Sequence, residues 1–310
     1  MAEKLYQRDI YGQTLVELGK QNKDIVVLDA DLSCSTRTCL FAKEFPGRFF
    51  NFGVAEQNMA ATAAGLASCG KIVFVSTFAM FATGRAWDQV RNSISYNNLN
   101  VKIVASHAGL TVGPDGASHQ ALEDISLMRV IPNIKIIVPC DGPQTREAIM
   151  LAVRTPGPCY IRLGRPKILT IENKGVFKLG QAQVLTEGND VTVIAIGIMV
   201  NAALVAAKNL LNKGIKVRVI NMHTLRPLDK KAILDAAKET KGIVVCEEHT
   251  VIGGLASCVS ELVSEEHPAR IKCLGVKNKF GQSGDPAELL KEYNLTSDDI
   301  EKAVLAISAA

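Results

Sequence analysis

The 310-residue sequence has no Cys-x-x-Cys pair, no internal repeat, no low-complexity segment and no apolar run long enough to span a bilayer. The first absence leaves no zinc-ribbon or thioredoxin-type spacing, so Cys34, Cys39, Cys69, Cys140, Cys159, Cys246, Cys258 and Cys273 read as reduced core residues of an intracellular protein. The last excludes a helical membrane protein. Charge is scarce in net terms: 35 Lys and Arg against 31 Asp and Glu leave +4, which argues against nucleic acid as a partner but allows local basic pockets for small anions. The start, Met1 to Asp9, is charged and amphipathic without the apolar core of a secretion signal, so the expected compartment is the cytoplasm. What remains is ordinary globular composition, 47% apolar and 21% charged, at a length that suits two domains.

Short, doubly apolar strands alternate with helices. Strands are expected at Ile25 to Leu28, Phe49 to Phe52, Ile72 to Val75, Val101 to Ala105, Lys135 to Val138 and Cys159 to Ile161. Helices are expected at Arg8 to Lys20, Glu56 to Ala67, Ala82 to Ser95, Ala121 to Arg129 and Gln144 to Val153. This predicts a parallel sheet covered on both faces, over residues 1–165. Residues 166–188, polar and broken by Lys174-Gly175, read as a linker. A second, smaller alternation fills 189–310, so the expected class is α/β, two doubly wound domains with mainly parallel sheets.

The residues suited to chemistry fall after strands, where open α/β sheets bind ligands. Gly53-Val54-Ala55-Glu56-Gln57-Asn58-Met59 opens a helix without a charge from Met59 to Ala67, which should therefore be packed on all sides. That would carry Glu56 into a buried place and make it a candidate for proton chemistry with a raised pKa, the plainer alternative being a carboxylate that only caps its helix. The loop Ser106 to Gln120 gathers two of the five histidines, His107 and His119, with Asp115 and several glycines; those side chains can bond hydroxyls and exchange protons near neutral pH. Phe78 and Phe81 either form an apolar slot for a flat heterocycle or are ordinary core. Arg8, Arg162 and Arg165 are cations at sheet edges, able to hold a phosphate. Glu247-Glu248-His249 before Gly253-Gly254 suits a structural role better than an anion site. No residue set reads as a metal site.

In its ordered motifs, Gly53 to Met59, Ser76-Thr77-Phe78-Ala79-Met80-Phe81 and His107 to Asp124, the chain resembles the C-terminal half of the transketolase family, over nearly its whole length. The resemblance implies a thiamine-diphosphate enzyme of the pentose phosphate pathway. Glu56 then matches the glutamate that bonds the cofactor's aminopyrimidine nitrogen and favours its imino tautomer, and Phe78 and Phe81 match the pocket around that ring. His107, Asp115 and His119 match polar positions near the sugar and the cofactor. Arg8, Ser35 and Arg165 match positions that hold the substrate phosphate, whereas Arg162 has no counterpart. The family's Gly-Asp-Gly metal motif is missing; Gly284-Asp285-Pro286 reads as a turn. The resemblance therefore implies a split transketolase, with Mg2+ (or Ca2+) and the diphosphate held by an N-terminal subunit in a heterotetramer of two copies of each chain. Its expected reaction moves a two-carbon ketol group from a ketose phosphate such as xylulose 5-phosphate to an aldose phosphate. The rival readings are the C-terminal part of a deoxyxylulose-phosphate synthase, the beta subunit of a 2-oxoacid dehydrogenase, or a non-catalytic scaffold paralogue.

Overall fold

The computed structural model describes residues 3–172 and 175–309. Lys174 of the expected linker pair, and Met1 and Ala2 of the expected amphipathic start, lie outside the described residues. The strands are β1 (Lys4–Tyr6), β2 (Ile25–Asp29), β3 (Phe49–Asn51), β4 (Ile72–Phe78), β5 (Val101–Ser106), β6 (Lys135–Ile137), β7 (Cys159–Arg162), β8 (Lys167–Leu169), β9 (Gln183–Thr186), β10 (Val191–Ala195), β11 (Val217–Asn221), β12 (Thr224–Arg226), β13 (Ile243–Thr250) and β14 (Ile271–Val276).

A seven-stranded sheet runs in the order β12-β6-β7-β5-β4-β2-β3, and all its pairs are parallel except β12 with β6. The second sheet, β14-β13-β10-β11-β9, is parallel except for β9. Both domains are thus α/β with mainly parallel sheets. Strand side chains alternate between two cores, as the two-residue period requires. Val73 and Val75 pack with Met59 and Ala63 of the helix Glu56–Ser68, whereas Phe74 packs with Tyr11, Leu15 and Ile149 on the other face. Covered on both sides, β2 and β5 are buried at every residue. That includes Lys102, whose ammonium donates to the Thr155 and Gly157 carbonyls at 2.7 Å each; burial pulls its pKa down to about 8.

The two domains share more than a linker. Ile194, Ile220 and Met222 belong to the same apolar cluster as Val73 and Ile103. Strand β12, from the second half of the chain, extends the first sheet. A three-residue antiparallel edge has no crossover helix to announce it, so the alternation of strands and helices gave no sign of it.

Several expectations need correction. The stretch expected to be irregular contains β8, which pairs with β1, and β9. The helix expected over Ala82 to Ser95 is two π-helical segments, Phe81–Arg85 and Gln89–Ser95; such wide turns gather at functional sites. The helix after the histidine loop spans only Asp124–Arg129. Gly284-Asp285-Pro286 is a helix start, with Asp285 Oδ1 accepting from the Ala287 and Glu288 amides. Of the cysteines, only Cys140, Cys159, Cys246 and Cys258 are buried; Cys34 and Cys69 are exposed. The helix Glu56–Ser68 is not packed all round: Gln57, Asn58, Ala61, Gly65 and Ser68 are open to solvent in the single chain. Among the described residues no helix is long and apolar enough to cross a membrane.

Candidate active site

Glu56 occupies the first turn of the helix Glu56–Ser68, where the preceding Ala55 offers no side-chain cap and the free amides favour a negative charge. It is only 3% exposed. A buried carboxylate needs a partner, and Arg85, from the end of the first π-helical segment, supplies one: its Nη1 donates to Glu56 Oε1 at 2.9 Å. The same guanidinium lies 4.2 Å from the centroid of the Phe81 ring. Glu56 and Arg85 line a cavity of about 620 Å³ with Val54, Ala55, Gln57 and Asn58.

Four rings meet beside this pair. Phe78, at the end of β4, is roughly parallel to Phe81 at a centroid distance of 6.0 Å and stacks on His107 at 3.9 Å. His119 stands edge-on to Phe81 at 5.3 Å. Glu56, Arg85, Phe81, Phe78, His107 and His119 therefore form one chain of contacts, drawn from four separate stretches of sequence.

His107 follows β5 with a left-handed backbone, φ 59°. Such a conformation in a residue other than glycine costs about 1–3 kcal/mol and concentrates where function requires it. Its Nδ1 is 2.9 Å from Ser106 Oγ. Burial, reinforced by Arg8, Arg165 and His119, lowers its pKa to about 3, so the imidazole is neutral throughout the physiological range. The sign of the linked stability follows: the unfolded chain takes up a proton below pH 6.5 that folded His107 refuses until about pH 3. Acid should therefore destabilise the fold by about 1.4 kcal/mol per pH unit from this residue, or about 2 kcal/mol at pH 5. Urea melts of wild type and His107→Asn between pH 7 and 5 should show a shallower decline in the variant; parallel curves would refute the assignment.

Arg8 and Arg165 form the other side of the site. Arg8 Nη1 reaches the Ser35 carbonyl at 3.4 Å, and Arg165 Nη1 donates to the Val112 carbonyl at 2.9 Å. The residues on either side of Ser35 are held by a buried carboxylate. Asp29, at the end of β2, accepts from the Leu32 amide at 2.7 Å and from the Thr36 and Thr38 hydroxyls at 2.7 and 2.8 Å. Burial raises the Asp29 pKa, and those hydrogen bonds oppose the rise. Arg8 and Arg165 lie close enough to influence each other, and a pair of guanidiniums suits an oxyanion. Asp115 is exposed, and among the described residues no hydrogen bond or ion pair joins it to this group.

Arg162, expected at a sheet edge, is instead interior. It pairs with Asp124 at 2.8 Å and donates to the Glu248 carbonyl at 3.0 Å, so it is committed to the junction of the two domains. The acidic pair at the end of β13 is equally occupied. Glu247 accepts the Leu255 and Ala256 amides at 2.8 Å each, which fills the start of the helix Leu255–Glu266 with the protein's own carboxyl group, and Glu248 accepts the Thr111 amide. Burial pushes both carboxyls up to about 7. Sequence reasoning missed Arg85 and Asp29, and it gave Glu248 a structural role without its partner. Asp29 was visible as the polar end of an apolar strand; nothing local marked Arg85 or the amide that Glu248 accepts, since these partners lie 29 and 137 residues apart.

Comparison with known proteins places this geometry. Residues 3–169 match the model of the transketolase pyrimidine-binding domain, and residues 180–300 match that of the transketolase C-terminal domain. The class is thus a pyrimidine-binding domain joined to its C-terminal companion. A chain of Methanocaldococcus jannaschii provisionally named a transketolase C-terminal section is 48% identical over 95% of this chain and 94% of its own length. The 6-deoxy-6-sulfo-D-fructose transketolase subunit of Clostridium sp. (strain MSTE9) is 41% identical over 97% and 94%. Homo sapiens transketolase is 42% identical over 98% of this chain but only 49% of its own. A solved structure described as a split gene transketolase, an inactive beta4 tetramer, superimposes with a TM-score of 0.91 at 50% identity, covering 98% of this chain and 99% of that one. The chain belongs to the transketolase family, and it spans the family's pyrimidine-binding and C-terminal domains.

Proposed function

We propose that this chain is the pyrimidine-side half of a thiamine-diphosphate transketolase, active when a second polypeptide supplies the diphosphate-side domain and its Mg2+ or Ca2+. The carrying observation is the buried Glu56 carboxylate, open to a cavity beside stacked Phe78 and Phe81. A carboxylate and an apolar ring slot are the groups an aminopyrimidine needs. The relatives of matching length that are named as transketolase subunits, one for 6-deoxy-6-sulfo-D-fructose and one for apulose 4-phosphate, also support this reading. So does the uncharged open face of the helix Glu56–Ser68, which leaves Ala61 and Gly65 bare in the single chain, with Val54 beside it 71% exposed. Two copies of each chain would make the heterotetramer.

When bound, thiamine diphosphate supplies the carbanion chemistry. The chain's own residues do the rest. Glu56 would hold a proton toward the pyrimidine nitrogen, and Phe78 and Phe81 would flank the ring and exclude water. Neutral His107 bonds the hydroxyls of the ketose together with His119 and Asp115 of the same loop. Arg8, Arg165 and Ser35 take the phosphate of the sugar, which sets its depth in the cleft. Glu56, His107 and His119 are thus the catalytic residues.

The donor is the open part of the reading, because relatives of similar identity are named for different sugars. Xylulose 5-phosphate is the proposed donor, as the Arg8 and Arg165 guanidiniums suit a terminal phosphate. The test is to mix the chain with a candidate partner, cofactor and magnesium, and follow ketol transfer from xylulose 5-phosphate, 6-deoxy-6-sulfo-D-fructose and apulose 4-phosphate. Pyruvate with glyceraldehyde 3-phosphate serves as the synthase control. Turnover of that control pair alone would move the chain to the synthase reading.

A further inference from the structure

Among the described residues no ring of the second domain joins the Phe78, Phe81, His107 and His119 cluster, yet that domain grips the histidine loop from two sides. On one side, Glu248 of β13 presents its carboxylate to the loop backbone: Oε1 accepts the buried Thr111 amide at 2.5 Å. Gly109 makes room for it. A Cβ there would lie 2.4 Å from Glu248 Cδ and 2.5 Å from Oε1, and the φ of 85° is one that side chains rarely adopt. On the other side, Gln120 Nε2 bridges the Leu110 and Gln282 carbonyls at 2.9 Å each, and Gly113 and Gly116 face Gly284 and Ser283. From the first domain, the described residues hold the loop by the backbone bond of Ala108 to Leu163 and by Arg165 on the Val112 carbonyl, and its two ends meet at Gly109 and Ala121.

A buried carboxylate is an expensive way to fill space, and an apolar residue of its volume is often neutral or better. Its place at this junction needs a use. We propose that Glu248 is a positioning residue: delivered by the second domain, its carboxylate fixes the backbone from Gly109 to Thr111 and thereby seats His107 and His119 against Phe78 and Phe81. The wider consequence, that the second domain acts on the reaction by seating this loop, rests on the transketolase reading above. The chemistry of the contact does not. Removing the acceptor leaves the Thr111 amide buried without a partner and frees the glycine-rich loop to sample other conformations.

Hydrogen exchange on the purified chain tests this without any activity. In Glu248→Ala, amides from Gly109 to Gly113 should exchange at least ten-fold faster, while those of β10 and β11 keep their rates. Glu248→Gln, which retains an acceptor oxygen, should restore the loop. Unchanged loop exchange, acceleration spread equally through β10 and β11, or failure of the glutamine to rescue overturns the proposal. In the assembled complex Glu248→Ala should lower kcat/KM about ten- to a hundred-fold, with cofactor binding unchanged. If the wild-type complex transfers no ketol group, the transketolase reading fails while the exchange data still decide the role of Glu248.

Discussion

Glu56→Gln is expected to lower ketol transfer by about 10²–10⁴-fold, the range supplied by a positioned acid or base, while leaving folding and assembly intact. The amide matches the carboxylate in shape and can still accept from Arg85 Nη1, so the helix start and the cavity should persist. What it cannot do is carry a proton to and from a ring nitrogen. The loss should therefore appear in kcat as well as kcat/KM, with the donor KM little changed, the pattern of an interaction made only in the reacting state. Steady-state kinetics on the reconstituted complex check this. Turnover within a few-fold of wild type would remove Glu56 from the mechanism and leave it as the helix cap that its position also allows.

Asp124→Ala should be the most damaging change to stability. Asp124 is fully buried and accepts the Tyr160 hydroxyl at 2.6 Å and Arg162 Nε at 2.8 Å. Burial opposes its ionisation, yet Arg162 and His249 beside it hold the carboxyl below the usual carboxylate range. Arg162 in turn donates to the Ala121 and Glu248 carbonyls, and His249 Nε2 receives the Ile125 amide, so one carboxylate supports a network shared by both domains. Truncating it strands a buried guanidinium, a change that costs about 3–5 kcal/mol. Chemical denaturation should show that loss. A cost under about 1 kcal/mol, typical of an exposed pair, would mean that water or rearrangement rescues Arg162. Because the desolvation penalty falls mostly on the unpaired charge, the double replacement Asp124→Leu with Arg162→Met should be milder than either single change.

The alternation of apolar strands and helices was enough to read the two α/β domains, because burying a sheet on both faces writes itself into continuous runs such as Ile25-Val26-Val27-Leu28. The short antiparallel elements were not legible. Strands β8, β9 and β12 are three or four residues long and pair antiparallel, so their sequence carries neither a long apolar run nor a crossover helix. The site divides in the same way. Glu56, the two phenylalanines and the two histidines stood out because charge or aromatic rings at strand ends conflict with their neighbours. Arg85 did not, since an arginine after a helix looks ordinary until its distant partner is known, and Glu248 stood out only as half of an acidic pair whose partner was not visible. Arg162 was misplaced for the converse reason: an arginine ending a strand looks like an edge cation, and only Asp124 reveals it as interior.

The central claim is that a carboxylate on this chain works only when another polypeptide completes the cleft. The direct measurement is ketol transfer by this chain alone, by the diphosphate-side partner alone and by the two together, each with thiamine diphosphate and magnesium. Activity should be absent from both single chains and appear on mixing, saturating as one partner is titrated against the other. Turnover of sugar phosphates by this chain alone, at a rate that added partner does not raise, would contradict it.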